Sequence, residues 1–255
     1  MTRLLIEKDD TSSQINDQVD SEFFLSTDDS HYAANVLRLG VGDQLLVVNP
    51  HTSAELLVKV KSAGKKLCVK IIAVNFPPAI VAPVQSLLYP LTKGSTLELV
   101  LEKGCELGVA HFILWQAERS VVRLGDNTER DKKLERWQKI LRAACQQSQK
   151  NTLPRLSLYS NLREALSAFN PASDSDTALI CSLESGCLPI AERVVPGRAH
   201  HIAVGPEGDF TESEIAQFDK AGFLKASLGP YRLRAETAAI AAVAMVNGIA
   251  GFSNR

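Results

Sequence analysis

Two short stretches combine residue types and spacing that could do chemistry. The first is His201-Ile-Ala-Val-Gly205-Pro206-Glu207-Gly208-Asp209-Phe210-Thr211-Glu212-Ser213-Glu214. An apolar strand runs into Gly-Pro-Glu-Gly, and Thr211 with Glu214 three residues on predicts a helix opened by a capping box. Gly205 and Gly208 let a ligand come close to the backbone. The second stretch is Leu228-Gly229-Pro230-Tyr231-Arg232-Leu233-Arg234-Ala235-Glu236-Thr237, again directly after a strand. It opens AAIAAVAMVNG, a helix of small residues suited to close packing or to a subunit interface. Arg232 and Arg234 carry the planar fork that grips phosphate or carboxylate. Taken alone, each stretch is equally a plain turn.

Neither stretch is a nucleotide-phosphate cradle, because G-x-G-x-x-G and G-x-x-x-x-G-K-[ST] are missing. That argues against a nicotinamide-dependent oxidoreductase. There is no H-E-x-x-H and no G-x-S-x-G nucleophile elbow. His31, His51, His111, His200 and His201 make no metal spacing, so no metal is expected. Cys68, Cys105, Cys145, Cys181 and Cys187 are odd in number and form no C-x-x-C, which points to reduced thiols.

The elements that position these stretches read as two parts. Up to about residue 75, EFFLS, QLLVVN, AELLVKV and KLCVKIIAV are short β-type runs between the turn clusters STDDS, GVGD, NPHTS and KSAGKK. A helix is expected at His31–Leu39. Phe76-Pro77-Pro78 reads as a linker. Beyond it, strands alternate with helices: VQSLLYPL, a helix over Thr96–Leu107, HFILWQA, a helix over Thr128–Ser148 and a short one near Leu162–Phe169. TALICSL, HIAVG, a helix over Glu212–Ala221, KASL and a helix over Glu236–Gly248 complete the series. This alternation predicts a parallel sheet covered on both faces. The expected domains are residues 1–76 and 77–255.

The chain has 255 residues, 45% of them hydrophobic and 22% charged, with net charge −1. Gripping nucleic acid by bulk charge is thereby excluded, though a local basic patch is not. Residues 119–155 supply one: ten bases against four acids, net +6. No apolar run reaches the ~20 residues of a membrane span. MTRLLIEKDD places charges where a signal peptide is apolar. The expected location is the cytoplasm.

Taken together, the two stretches resemble the RsmE family, the uridine N3-methyltransferases of 16S rRNA within the SPOUT superfamily. The likeness extends over nearly the whole chain: GPEGDFTESE at 205–214, LGPYRLRAETAA at 228–239 and KGSTLELVLEKGCELGV at 93–109. ERSVVR at 118–123, ERWQKILRAACQQS at 135–148 and HYAANVLRLGVGD at 31–43 fit as well.

The resemblance implies an α/β fold: a SPOUT-type domain with a C-terminal trefoil knot, preceded by a small PUA-like β-barrel. It implies S-adenosylmethionine bound in a bent shape against the knot loops. Matching positions are Leu183, Gly205, Pro206, Glu207 and Gly208, with Leu228, Gly229, Leu233, Arg234 and Thr237. Candidate catalytic residues are Arg234, Glu207 and Arg232: a cation to stabilise the uridine anion, or a base to remove its proton. Glu207 or Glu236 would also suit the cationic sulfonium. Arg38, Lys93, Lys103, Arg119, Arg123, Arg136 and Arg142 are candidates for phosphate contacts, which position RNA without reading its sequence. Implied partners are small-subunit rRNA, or the assembled subunit, and a second copy of the chain. A SPOUT enzyme with another RNA target and a non-catalytic RNA-binding or assembly protein of the same fold are the alternatives. The chain departs from the family pattern at Asp209 and Gln149, where glycine is usual. Further departures are Tyr231 for arginine, Arg232 for an aliphatic residue, Ala235 for threonine, Tyr32 for histidine and Asn35 for arginine.

Overall fold

The computed structural model describes residues 2–6, 14–78, 80–169, 176–184 and 186–254. The chain divides into two compact units, Met1–Ala79 with Cys145–Leu153, and Ile80–Ala144 with Pro154–Arg255.

The first unit is a five-stranded sheet of β1 (Arg3–Leu5), β2 (Glu22–Phe24), β3 (Gln44–Val48), β4 (Glu55–Ala63) and β5 (Leu67–Asn75), in the order β1-β3-β4-β5-β2. Period-2 alternation builds its core. Leu56, Val58 and Val60 of β4 point inward against Leu45, Val47, Val69 and Ile71. β1 pairs parallel to β3, and residues 145–153 anchor it. Arg3 donates to the Lys150 carbonyl at 2.7 Å, and Leu5 N–H donates to Gln146 Oε1 at 2.6 Å.

The helix expected at His31–Leu39 starts earlier and stops sooner. It is α1 (Thr27–His31), continued by a π-helical turn over Tyr32–Val36. Ser26 caps it by accepting from Asp29 N–H. The residues of STDDS thus cap a helix rather than form a free turn, because Ser and Asp side chains serve both.

The second unit holds a seven-stranded, all-parallel sheet. In chain order its elements are β7 (Val84–Pro90), α2 (Gly94–Glu106), β8 (His111–Trp115), α3 (Asn127–Gln147), β9 (Arg155–Tyr159), α4 (Leu162–Ala168) and β10 (Thr177–Cys181). They continue as β11 (Leu188–Pro189), α5 (Ile190–Arg193), β12 (His200–Ala203), α6 (Glu212–Lys220), β13 (Leu224–Ser227) and α7 (Ala235–Ala250). A separate pair joins β6 (Ile80–Val81) to β14 (Ser253–Asn254). The sheet order is β11-β13-β10-β12-β7-β8-β9. Its central strands are buried on both faces, as a helix-covered parallel sheet requires.

The path positions the site. From β10 the chain runs to β11 at the sheet edge, crosses to β12 on the other side of β10, returns past β10 to β13, and α7 then packs on β7, β12, α2 and α5. The C-terminal ends of three adjacent strands, β13, β10 and β12, therefore emit three loops side by side: 228–234, 182–184 and 204–211. In open α/β sheets, this is the end at which ligands bind.

Candidate cofactor site

The loop 204–211 is fixed from outside itself. Val204 N–H donates to the Leu88 carbonyl at 3.1 Å, and Asp209 N–H closes a turn on the Pro206 carbonyl at 2.9 Å. Phe210 is buried and meets Phe218 edge-on at 5.3 Å, within a cluster that also holds Trp115 and Phe223. Thr211 and Glu214 form the expected capping box. Buried Glu214 does more: its second oxygen accepts the Glu118 N–H at 3.1 Å. Arg119 Nη1 donates to the carbonyls of Gly208 at 3.0 Å and Phe210 at 3.3 Å. A Cβ on Gly205 would lie 3.1 Å from the Phe210 ring, so glycine keeps this floor tight.

The loop 228–234 is held differently. Ser227 Oγ exchanges hydrogen bonds with Gly229 N–H at 3.2 Å and with the Gly229 carbonyl at 3.3 Å. Gly229 sits at φ +129°, outside the range of ordinary side chains. Tyr231 is 80% exposed, and Arg232 and Arg234 are exposed. The third loop begins with Ser182, whose N–H bonds the Ala226 carbonyl at 3.0 Å. Ser182 Oγ accepts from Glu184 N–H at 3.2 Å, and Glu184 pairs with Lys225 at 2.7 Å.

The three loops enclose a cavity of about 460 Å³. Of the residues picked from sequence, Leu183, Gly205, Pro206, Glu207, Leu228, Leu233, Arg234 and Arg232 line it, and so does Glu236. Gly208, Gly229 and Thr237 do not. Gly208 turns its carbonyl to Arg119, Gly229 forms the turn beside Ser227, and Thr237 lies exposed in the first turn of α7. Thr96, Cys181, Ser182 and Tyr231 also line the cavity and were not picked. The available signal was the end of the TALICSL strand, since a loop leaving a central strand belongs to the ligand-binding edge.

Burial pushes the Cys181 thiol up to about 12. Burial, reinforced by the carboxylates of Glu236 and Glu207, also pushes the Tyr89 hydroxyl well above its ordinary range. Both groups stay protonated at neutral pH, so neither serves as a resting base. The cavity offers apolar side chains, backbone groups of glycine-bearing turns, three carboxylates (Glu207, Asp209 and Glu236) and two guanidinium groups.

Several bases expected to face RNA are engaged within the second unit. Lys103 pairs with Glu102 at 2.8 Å and Glu106 at 2.9 Å. Arg136 pairs with Glu98 at 2.7 Å, and Arg119 clamps the loop described above. Lys93 is exposed just before α2, Arg123 is exposed, and Arg142 is half-buried in α3. Arg38 of the first unit is exposed at φ +56°.

Residues 83–247 match the RNA methyltransferase domain family, and residues 25–72 match the RNA methyltransferase PUA domain family. The Bacillus subtilis (strain 168) protein named ribosomal RNA small subunit methyltransferase E is 31% identical over 252 residues, covering 97% of this chain and 96% of that protein. The chain belongs to the ribosomal RNA small subunit methyltransferase E family. Among solved structures, a Neisseria gonorrhoeae member of that family bound to S-adenosyl methionine superimposes with TM-score 0.81 at 28% identity, over 97% of each chain. A Legionella pneumophila protein in complex with bound cofactor SAM does so with TM-score 0.84 at 28% identity, over 99% of each chain.

Two departures from the methyltransferase E pattern acquire a structural meaning. Asp209 and Gln149, which stand where glycine is usual, both adopt left-handed backbone, at φ +62° and +59°. The positions keep the conformation glycine favours while carrying side chains.

Proposed function

We propose that the chain transfers a methyl group from S-adenosylmethionine to the N3 of a uridine in small-subunit rRNA. The observation that carries this is the cavity at the adjoining C-terminal ends of β13, β10 and β12, walled by glycine-bearing loops that lack a phosphate cradle. S-adenosylmethionine has no phosphate and is cationic at sulfur. The residues present suit it: Leu183, Leu228 and Leu233 offer apolar contact, Gly205 exposes backbone, and Glu207 and Glu236 offer negative charge. When bound, the cofactor supplies an electrophilic methyl group.

The chain's own residues have three tasks. The loops align cofactor and acceptor, and such alignment accounts for much of catalysis in a two-substrate reaction. Arg234, exposed at the cavity and directly preceding α7, stabilises the negative charge that develops as the uridine N3 proton passes to Glu207, the candidate base lining the cavity. The base within RNA must be splayed out to reach the cavity. Lys93 and Arg123, and Arg38 on the first unit, contact phosphates. Location in the cytoplasm follows from an rRNA substrate; among the described residues no helix is long and apolar enough to cross a membrane.

A second copy of the chain is the proposed partner. α7 buries Ala239, Ala242, Val243 and Val246, while Ala244, Met245, Gly248 and Ile249 form an exposed apolar stripe at helical spacing.

The test is transfer of labelled methyl to small ribosomal subunits lacking N3-methyluridine, with the product nucleoside identified by mass. N3-methyluridine at one site is expected. A different methylated nucleoside contradicts the proposed target. Cofactor binding without transfer contradicts catalysis.

A further inference from the structure

One ion pair joins the two main loops of the cavity: Arg232 Nη2 lies 3.3 Å from Asp209 Oδ2. Asp209 Oδ1 accepts the Phe210 N–H at 2.9 Å, which leaves Oδ2 for Arg232. Asp209 holds a left-handed φ of +62°, a conformation that disfavours most side chains and that Asp tolerates better than others. A residue kept in such a conformation beside a site points to function. Arg232 is exposed, with 73% of its side-chain surface accessible, so burial does not force it to seek a partner. Exposed pairs of this kind add little to stability. The pairing also unites two of the chain's departures from its family pattern, one in each loop.

The location is specific. Asp209 and Arg232 line the main cavity and also a second one of about 280 Å³, which Phe210, Ile215, Ser182 and Lys225 also line. The pair therefore stands at the partition between the two cavities. A methyl acceptor must approach the cofactor in line, so a group at the edge of the cofactor cavity is well placed to meet it. A guanidinium has five N–H donors in a fixed fork. A contact with one Asp209 oxygen fixes its orientation and leaves donors for a base carbonyl or a phosphate oxygen.

We propose that Asp209 is a positioning residue that holds the Arg232 guanidinium at the partition between the two cavities, where Arg232 contacts the RNA acceptor. This presupposes the methyltransferase function proposed above.

The test is a double-mutant cycle on the full chain: wild type, Asp209→Asn, Arg232→Gln and the double variant. Asn is chosen because it removes the charge while tolerating the left-handed backbone. Methyl transfer to unmodified small subunits gives kcat/KM for RNA, and calorimetry gives Kd for S-adenosylmethionine. Arg232→Gln is expected to lower kcat/KM about tenfold, as loss of a charge-assisted contact does. Asp209→Asn should lower it about threefold, the double variant no further than Arg232→Gln alone, and cofactor Kd should stay within about twofold throughout. Asp209→Glu, which keeps the carboxylate, should recover part of the loss. Losses that multiply in the double variant overturn the positioning role. So does a loss confined to cofactor Kd, or one that tracks a fall in Tm. Wild-type protein that transfers no methyl to small-subunit rRNA overturns the function itself and the inference with it, a result distinct from all of these.

Discussion

Two of the three loops that wall the cavity contrast: 204–211 is held by several groups from beyond its own residues, whereas 228–234 is held at its ends and by the Arg232–Asp209 pair. Phe210 sits in an aromatic cluster, Arg119 clamps two carbonyls, and Glu214 ties both Thr211 and Glu118. In 228–234, Ser227 fixes Gly229 at one end and α7 begins at the other, while Tyr231 is 80% exposed between them. The first loop is a preformed floor. The second is a wall: with Tyr231 exposed and Arg232 paired only across to Asp209, it is expected to gain order when a ligand binds.

The strongest way to break this contrast is Glu214→Ala. It leaves the N–H groups of Thr211 and Glu118 without their carboxylate and removes half of the capping box. The expected cost is about 2–3 kcal/mol. Tm should fall by roughly 5–10 °C, measured by calorimetry, and cofactor affinity should weaken with it. An unchanged Tm would show that the floor needs no such brace.

Acid should act on the other end of the sheet. His111 opens β8, and His200 and His201 open β12, opposite the ends from which the loops leave. Burial, with Arg155 and His201 nearby, pulls His111 down to about 4, and burial lowers His200 and His201 as well. A histidine with a lowered folded pKa is neutral in the native state, so protons favour the unfolded chain. The stability these groups provide is present above the unfolded value of 6.5 and is lost as pH falls toward about 4. Thermal scans should show a flat Tm above pH 7 and a decline through that window. His111→Gln should flatten the decline.

The smallest effect sharpens the contrast from the side of the wall. Tyr231→Ala removes an exposed ring and should change stability by less than about 0.5 kcal/mol. A drop in Tm comparable to that of Glu214→Ala would mean that the wall is as firmly built as the floor.

The sequence showed the floor more fully than the wall. The capping box, the glycines and the buried strands follow from local patterns: Thr211 with Glu214, and continuous apolar runs such as Phe112–Trp115 of β8. Long-range pairing does not leave such a trace. Arg136 meets Glu98 and Arg119 meets the Gly208 carbonyl, long-range partners that no local pattern announces. Asp209 and Arg232 were each visible as departures from a pattern, but only the fold brings them together. β1 has only three residues and β9 only Leu156 and Leu158 in alternation, too short a pattern to mark either as a strand. Ser26, Asp28 and Asp29 looked like a turn because the same side chains cap helices.

The most direct measurement is hydrogen exchange, read by mass spectrometry, with and without S-adenosylmethionine. A preformed floor and a ligand-ordered wall predict slow exchange in 204–214 in both states, and fast exchange in 228–234 that becomes protected when the cofactor is added. Equal protection gained by both loops, or none gained by 228–234 at saturating cofactor, would contradict the account.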